Sequence, residues 1–306
     1  MIVVACPGQG SQTPGFMLPW LELEAYSSTI DHLSEASGVD LRLHGTVSDA
    51  DTIRDTAIAQ PLIVAASIAS YAALQAELPG FAPGALAGHS VGEIAAATIA
   101  GIFTREQGIE FVTARGRAMA AAAALEETSM AAVIGGDWAV VEESLNSLGL
   151  AAANFNGGGQ VVVAGGKAAI AELAANAPAG ARVIPLQVAG AFHTRYMQPA
   201  VASLTDYAAA LTVADPKVAI VTNKDGSTVS SGRDYLDLLI NQVSNPVRWD
   251  ACMSALQDNG ATALIELSPA GALVGLAKRG MQGVETLAIK TPDQLAAAAE
   301  LIANHS

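Results

Sequence analysis

The sequence predicts an α/β fold with a mainly parallel sheet, into which a small ferredoxin-like (βαββαβ) subdomain is inserted. Short apolar runs alternate with helical patterns over residues 1–127 and 190–306, as expected of a parallel sheet. Residues 128–189, in between, show strand and helix patterns in the order βαββαβ. We therefore expect a large domain, 1–127 and 190–306, and a small subdomain, 128–189, which suits a chain of 306 residues.

Apolar runs, helical spacing and turn residues define the elements of the large domain. Residues 2–6 form an apolar run that ends at Pro7, which indicates a buried strand. Residues 60–78 have helical spacing, with Pro61 in the predicted first turn. Thr104 begins a capping box, which predicts the start of a helix. The predicted strands are 2–6, 84–88, 218–222 and 263–267, and the predicted helices are 60–78, 91–102, 104–127, 235–243, 249–259, 271–279 and 292–304.

The small subdomain shows the same periodicities in another order. Its predicted strands are 130–134, 151–155, 160–164 and 182–188, and its predicted helices are 139–148 and 168–176. Three consecutive glycines, 157–159, form the turn between its second and third strands. This order is that of the ferredoxin-like split unit.

Composition excludes several classes of function. Hydrophobic residues make up 51% of the chain, charged residues 14%, and the net charge is −14. No basic excess exists to neutralise nucleic acid or an anionic membrane, although an acidic partner could dock on a local basic patch. Cys6 and Cys252 have no metal-ligand spacing and form no disulfide framework, and Cys6 is best interpreted as a packed thiol. We expect no metal, no cofactor and no membrane segment, and a cytoplasmic protein.

Ser90 lies between two glycines, Gly88 and Gly92, where a predicted strand meets a predicted helix. G-x-S-x-G in this context is typical of a nucleophile elbow, because the glycines let strand and helix pass closely while the turn exposes the serine Oγ. The N–H of Val91 would then lie at a helix N-terminus and form half of an oxyanion hole. The alternative is a tight turn with an incidental serine.

A serine nucleophile needs a general base, and His193 is the candidate among five histidines. His32 and His44 lie in polar stretches typical of a surface, and His305 is next to the last residue. His89 adjoins the serine, so its side chain should point away and pack or hydrogen-bond. His193 follows the last strand of the insert in an apolar loop, which suits a base that must be neutral. A satisfied core histidine is the alternative.

No acid completes a hydrolase triad. In an α/β-hydrolase the histidine follows the acid near the C-terminus, whereas His193 lies far from the last residue. No acid occupies an obvious late-strand loop between Ser90 and His193. A backbone carbonyl could hold the Nδ1–H of His193 instead.

Two further residues are candidates for the site. Gln9 lies in a glycine loop after the first strand that is neither a P-loop nor a dinucleotide fingerprint; it is either a plain turn or the second oxyanion donor. Arg115 shares a helix face with Phe111, Val112 and Met119, so its guanidinium should be buried. A buried guanidinium needs an anion, which is either a ligand carboxylate or an acid of the protein.

These motifs together resemble the malonyl-CoA:acyl carrier protein transacylases and the acyltransferase domains of polyketide synthases. The shared stretches are GQGSQ at 8–12, GHSVGE at 88–93, RGRAM at 115–119, GAFH at 190–193 and NQVSNPVRW at 241–249. They occur in the family's order over almost the whole chain. The resemblance implies an α/β-hydrolase-like catalytic core with a ferredoxin-like insert.

The resemblance also implies roles for these residues. Ser90 would be the nucleophile and His193 the base, with the N–H groups of Gln9 and Val91 as the oxyanion hole. Arg115 would clamp the free carboxylate of the substrate. The main-chain carbonyl of the residue matching Gln242 would orient the histidine, with a helix-capping role for Gln242 as the alternative.

Selectivity is implied by the residues around the histidine and the elbow. The stretch GAFH, which contains Phe192, resembles the version of this motif that is associated with malonyl selectivity. Phe192 would crowd an α-methyl group, and one methyl group contributes about 1–3 kcal/mol of discrimination. His89 is included with Phe192 and Arg115 among the substrate-binding residues.

The implied reaction is malonyl transfer from malonyl-CoA to the phosphopantetheine thiol of acyl carrier protein through a malonyl-serine. This would supply fatty acid or polyketide synthesis. A serine hydrolase or thioesterase acting on acyl-CoA is the alternative enzyme, and a non-catalytic carrier-binding subunit is the alternative from another class. Docking of an acidic carrier would need a local basic patch, for which the candidates are Arg195, Arg248, Lys278 and Arg279.

Overall fold

The computed structural model describes residues 1–305 and contains two sheets. Its elements, in chain order, are β1 (Ile2–Cys6), α1 (Glu24–Ser37), α2 (Leu41–Thr46), α3 (Thr56–Glu77), β2 (Ala85–Gly88), α4 (Gly92–Ile99), α5 (Arg105–Ala123), β3 (Thr128–Gly135), α6 (Trp138–Ser147), β4 (Ala151–Gly157), β5 (Gln160–Gly166), α7 (Lys167–Ala175), β6 (Ala181–Pro185), α8 (Gln198–Ala208), α9 (Gly232–Gln242), β7 (Val247–Arg248), α10 (Trp249–Asp258), β8 (Ala263–Glu266), α11 (Ala272–Gly280), β9 (Glu285–Ala288) and α12 (Gln294–His305).

The first sheet is parallel throughout, with the strand order β2-β1-β8-β9. Val4 in the central strand β1 pairs with Leu86 on one side and with Ile265 on the other. Every residue of β1, β2 and β8 is buried, and these strands are apolar without alternation except for Glu266 at the end of β8. The carboxyl ends of β1 and β2 therefore lie side by side.

The second sheet has the order β6-β3-β5-β4-β7. Its first four strands pair antiparallel in the ferredoxin-like arrangement, and their helices α6 and α7 enclose a separate small core. The predicted fold class is thus confirmed. Asn154 and Phe155 of β4 also pair with β7, which lies outside residues 128–189, so a strand from the later part of the chain extends this sheet.

Several predicted elements differ from the structure. Residues 218–222 form isolated bridges at Ile220 and Val221 in place of a regular strand. The helix predicted over 60–78 begins at Thr56, capped by Asp55, and Pro61 lies within it. The start of α5 has the predicted capping box at Thr104, with both reciprocal hydrogen bonds present. The sequence patterns do not predict helices α1, α2 and α8 or strands β7 and β9.

Helix α3 is long and apolar enough to cross a membrane by length and composition alone. However, 78% of its most apolar stretch is buried inside the molecule, which is typical of a core helix. It packs against α1 and α5. Within residues 1–305, no group of three or more His, Cys, Asp or Glu side chains is placed to hold a metal ion.

Candidate active site

Ser90 lies in the tight turn between β2 and α4, as the G-x-S-x-G pattern predicts. Its φ of 52° is in the left-handed region, which few residues other than glycine adopt. A Cβ on Gly88 would come within 2.1 Å of the backbone of α4, and one on Gly92 within 2.2 Å of the Cys6 carbonyl oxygen. Both positions therefore require glycine, because strand and helix pass too closely for a side chain.

The side chain of Asn223 holds this turn through two hydrogen bonds to its backbone. Its Nδ2 donates to the Gly88 carbonyl oxygen at 2.7 Å, and its Oδ1 accepts from the Ser90 N–H at 2.7 Å. Asn223 is fully buried and comes from the segment that follows the isolated bridges. Asn223 is not among the residues predicted from the sequence, since a lone asparagine in an irregular segment has no recognisable pattern.

The side chain of Ser90 meets His193, although 103 residues separate them. The distance from Ser90 Oγ to His193 Nε2 is 2.7 Å, and His193 Nδ1 lies 2.8 Å from the main-chain carbonyl oxygen of Gln242. This arrangement leaves Nε2 free to accept the serine proton, as in a serine–histidine pair whose third member is a carbonyl. Burial, with the charge of Arg115, lowers the pKa of His193 to about 3. The ring is therefore neutral at neutral pH and can act as a base.

Gln9 and Val91 line the same cleft as Ser90. Gln9 lies in the loop after β1, where its side-chain amide donates to the Arg54 carbonyl oxygen at 3.2 Å. Val91 is the first residue after Ser90, at the N-terminus of α4. Within residues 1–305 neither backbone N–H has an acceptor, as the predicted role of oxyanion donor requires.

Arg115 is buried in α5 and reaches the serine. It is 1% exposed, and one of its terminal nitrogens (NH2) lies 3.4 Å from Ser90 Oγ. The guanidinium donates to Gln60 Oε1 at 2.6 Å and to Gln242 Oε1 at 2.9 Å, and its Nε has no partner. These two partners are neutral amides, and within residues 1–305 no acidic side chain forms a direct ion pair with Arg115.

Glu93 lies one helical turn after Ser90 and is also buried. Its carboxylate accepts from the Asn223 N–H at 2.7 Å, from the Tyr235 hydroxyl at 3.2 Å and from Gln242 Nε2. Burial raises the pKa of Glu93 to about 8, against the opposing effect of these donors and of Arg115. Glu93 is not among the residues predicted from the sequence, although it is the one charged residue in the apolar helix α4.

A cleft of about 710 Å³ is lined by Ser90, His193 and Arg115, together with Gln9 and Val91. Phe192 is 6% exposed and lines it beside His193. His89 also lines the cleft, but its ring points away from the serine towards Asn156, with Nε2 to Oδ1 at 2.9 Å, and packs edge-on against Trp249. Burial lowers the pKa of His89.

The four predicted basic residues are spread over the surface. Arg279 lines the cleft and packs over Gly158 of the glycine turn. Lys278 and Arg195 are exposed but do not line the cleft, and Arg248 is paired with Asp250 at 2.9 Å. Arg279 is the member of this set that the structure brings to the site.

Comparisons with known proteins show which family this sequence matches. Residues 3–298 match the acyl transferase domain family. A malonyl CoA-acyl carrier protein transacylase of Mycobacterium bovis is 44% identical over 297 residues, covering 96% of this chain and 98% of that protein. The protein of that name from Escherichia coli (strain K12) is 34% identical over 302 residues, covering 96% and 97%.

Solved structures share the whole fold. The crystal structure of MCAT from Mycobacterium tuberculosis has a TM-score of 0.94 at 44% identity, covering 98% of this chain and 99% of that one. A type II PKS acyl-carrier protein in complex with its malonyl-transacylase includes a chain with a TM-score of 0.92 at 29% identity, covering 98% and 99%. Residues 3–298 match the family, and the serine of the nucleophile elbow faces a histidine. This chain therefore belongs to the acyl transferase domain family.

Proposed function

We propose that this chain transfers the malonyl group from malonyl-CoA to the phosphopantetheine thiol of acyl carrier protein. It would thereby supply extender units for fatty acid or polyketide synthesis. The observation that carries the proposal is the position of three side chains in one cleft. Ser90 Oγ lies 2.7 Å from His193 Nε2 and 3.4 Å from a guanidinium nitrogen of Arg115. The nucleophile, the base and the carboxylate receptor are thus close enough for one malonyl group to contact all three.

The first half-reaction acylates the serine. His193 removes the Ser90 proton as Oγ attacks the thioester carbonyl, and the N–H groups of Gln9 and Val91 bind the resulting oxyanion. Collapse of this intermediate expels the sulfur of coenzyme A, which takes the proton from His193. The carbonyl of Gln242 holds the ring in the tautomer that keeps Nε2 free.

The second half-reaction uses the same groups in reverse. The thiol of the carrier gives its proton to His193 and attacks the malonyl-serine, and Ser90 recovers its proton. Arg115 holds the malonyl carboxylate throughout, in a buried position where water has little access. These contacts favour transfer to a thiol over hydrolysis.

The proposal includes the organisation and the partners of the chain. We assign catalysis to a large domain, 1–127 and 190–306, and one wall of the cleft to the small subdomain, 128–189, which contributes Asn154, Asn156 and Gln160. His89 acts on the substrate through Asn156, which its ring orients. The partners are malonyl-CoA and acyl carrier protein, without nucleic acid or membrane, and the location is the cytoplasm.

The mass of the intact protein tests this function. The chain is mixed with malonyl-CoA and then with holo acyl carrier protein. We expect a malonyl adduct on the peptide containing Ser90, stable without carrier and removed by it, with malonyl-carrier as the product. Rapid release of free malonate without carrier would indicate a hydrolase, and no adduct would indicate a binding protein.

A further inference from the structure

Glu93 and Arg115 are buried and oppositely charged, yet they do not touch. Within residues 1–305, no acidic oxygen lies within 4.0 Å of an Arg115 nitrogen. The side chain of Gln242 lies between them, since its Nε2 donates to Glu93 and its Oε1 accepts from Arg115. Glu93 therefore compensates the guanidinium charge through a neutral amide and leaves the Nε of Arg115 without a partner.

The surroundings of Glu93 fit an ionised carboxylate in the free site. The Asn223 N–H and the amide of Gln242 donate hydrogen bonds to it, and the Tyr235 hydroxyl can donate either to it at 3.2 Å or to the Val221 carbonyl oxygen at 3.3 Å. An ionised carboxylate is an acceptor only, so it satisfies all three. Where Glu93 is ionised, the free site contains one buried cation, Arg115, and one buried anion.

The proposed function adds a second anion to this space. A malonyl group on Ser90 carries a carboxylate to Arg115, which leaves two buried anions facing one cation. Two carboxylates that share one buried site cannot both stay ionised without a large cost. An acetyl group on Ser90 adds no charge and creates no such conflict.

We infer, on the basis of the proposed function, that Glu93, where it is ionised, takes up one proton when a malonyl group docks on Arg115. The proton comes from solvent and adds to the carboxylate, so Arg115 and the malonyl carboxylate form a balanced pair. The Tyr235 hydroxyl then turns its proton to the Val221 carbonyl oxygen, 3.3 Å away, and accepts from the new Glu93 hydroxyl. Gln242 keeps its hydrogen bonds to Glu93 and Arg115. No bond of the acyl transfer changes, because the serine proton still leaves on coenzyme A. Glu93 is thus a residue that fits the site to a negatively charged acyl group.

Glu93 is also the group in this cluster that can titrate near neutral pH. Arg115 of α5 faces Glu93, and burial lowers the pKa of this arginine only to about 10. Tyr235 of α9 and Cys252 of α10 also face Glu93, and burial raises the pKa values of both. The pKa of nearby His193 is about 3. Burial raises the pKa of Glu93 itself to about 8, so it can exchange a proton where the other four groups do not.

Proton uptake during acylation tests the inference. The enzyme at pH 8.5, in weak buffer with a pH indicator, receives malonyl-CoA or acetyl-CoA without carrier, and the acylated fraction is read from intact mass. We expect about half a proton or more per malonylated site in excess of the value per acetylated site. Glu93→Gln should abolish this difference. The matched control Glu266→Gln removes another buried carboxyl, which caps α11, and should keep the difference.

The pH profile gives a second measurement that does not require the Glu93 variant to fold. In the wild type, the rate of malonyl acylation should fall as pH rises above about 8, with a slope that approaches tenfold per pH unit. At such pH only a small fraction of the molecules have the protonated Glu93 that docking requires. Acetyl acylation should not fall with it. Equal proton changes for both acyl groups, or an undiminished difference in Glu93→Gln, would overturn the inference. Malonylation of Ser90 without excess uptake leaves the proposed function standing, whereas no malonyl adduct refutes both.

Discussion

His193 Nδ1 lies 2.8 Å from the main-chain carbonyl oxygen of Gln242, so a peptide group holds the place that an acid holds in a hydrolase triad. A neutral carbonyl cannot stabilise an imidazolium as a carboxylate does, and burial beside Arg115 lowers the pKa of His193 to about 3. We predict that acylation by malonyl-CoA stays level as pH falls from 7.5 to 5. A base with an ordinary pKa near 6.5 would lose about tenfold per unit below that value. Single-turnover rates across this range distinguish the two.

Replacement of the nucleophile should remove the chemistry and keep the fold. Ser90→Ala deletes one hydroxyl, and its N–H remains available to Asn223. We expect no malonyl adduct in intact-mass measurements and a melting temperature close to that of the wild type. A malonyl adduct formed at the wild-type rate by the alanine variant would show that the nucleophile lies elsewhere.

Replacement of Arg115 should invert the acyl preference. Arg115→Ala leaves the malonyl carboxylate buried and unpaired, which typically costs about 2–5 kcal/mol, or roughly 30-fold to several-thousand-fold in specificity. Acetyl-CoA loses no partner, so its acylation of Ser90 should persist or rise. Arg115→Lys should rescue malonyl acylation only in part, because an ammonium cannot form the planar fork.

The same variant separates a substrate clamp from a structural role. A purely structural arginine predicts that acylation by both thioesters declines together, with a lower melting temperature. The ratio of malonyl to acetyl acylation, measured on the folded fraction of each variant, decides between the two.

Phe192 should limit the size of the acyl group. Its ring lines the cleft next to His193 and is 6% exposed. Phe192→Ser opens space there, and a methyl group in an apolar pocket is worth about 1–3 kcal/mol. We expect the ratio of methylmalonyl to malonyl acylation to rise by about tenfold or more. An unchanged ratio, with malonyl acylation intact, would place the methyl group elsewhere in the cleft.

Carrier docking should depend on salt and on Arg279. The net charge of −14 opposes an acidic carrier, so attraction must come from local cations at the cleft. We expect the KM for carrier to rise with ionic strength and to rise in Arg279→Ala. Arg42→Ala is the control, because this exposed arginine is paired with Asp31 away from the cleft. A KM that does not change with salt would contradict electrostatic docking.

The sequence was most informative where a pattern is local. The run at β1, the capping box at Thr104 and the glycines around Ser90 each act within a few residues, and the structure has all three. Asn223 and Glu93 escaped because their importance arises from contacts with residues more than 100 positions away. Such contacts depend on how elements pack, which one sequence without its fold does not display.

The alternatives for Arg115 show the same limit. Helical spacing places its side chain on the buried face, but the same spacing suits a ligand carboxylate and an internal ion pair equally well. The structure adds what surrounds the guanidinium, namely the two amides of Gln60 and Gln242.

Among residues 1–305, Ser90 and His193 are the only residues other than glycine with a positive φ, 52° and 61°. Glycine would adopt either conformation without the penalty of about 1–2 kcal/mol that an L side chain incurs there. At the two positions assigned to the chemistry, the residue that favours thermal stability therefore differs from the residue that activity requires. Laboratory evolution of this chain for heat resistance alone would drift towards glycine at position 90, and only a screen that also reads activity would keep the serine.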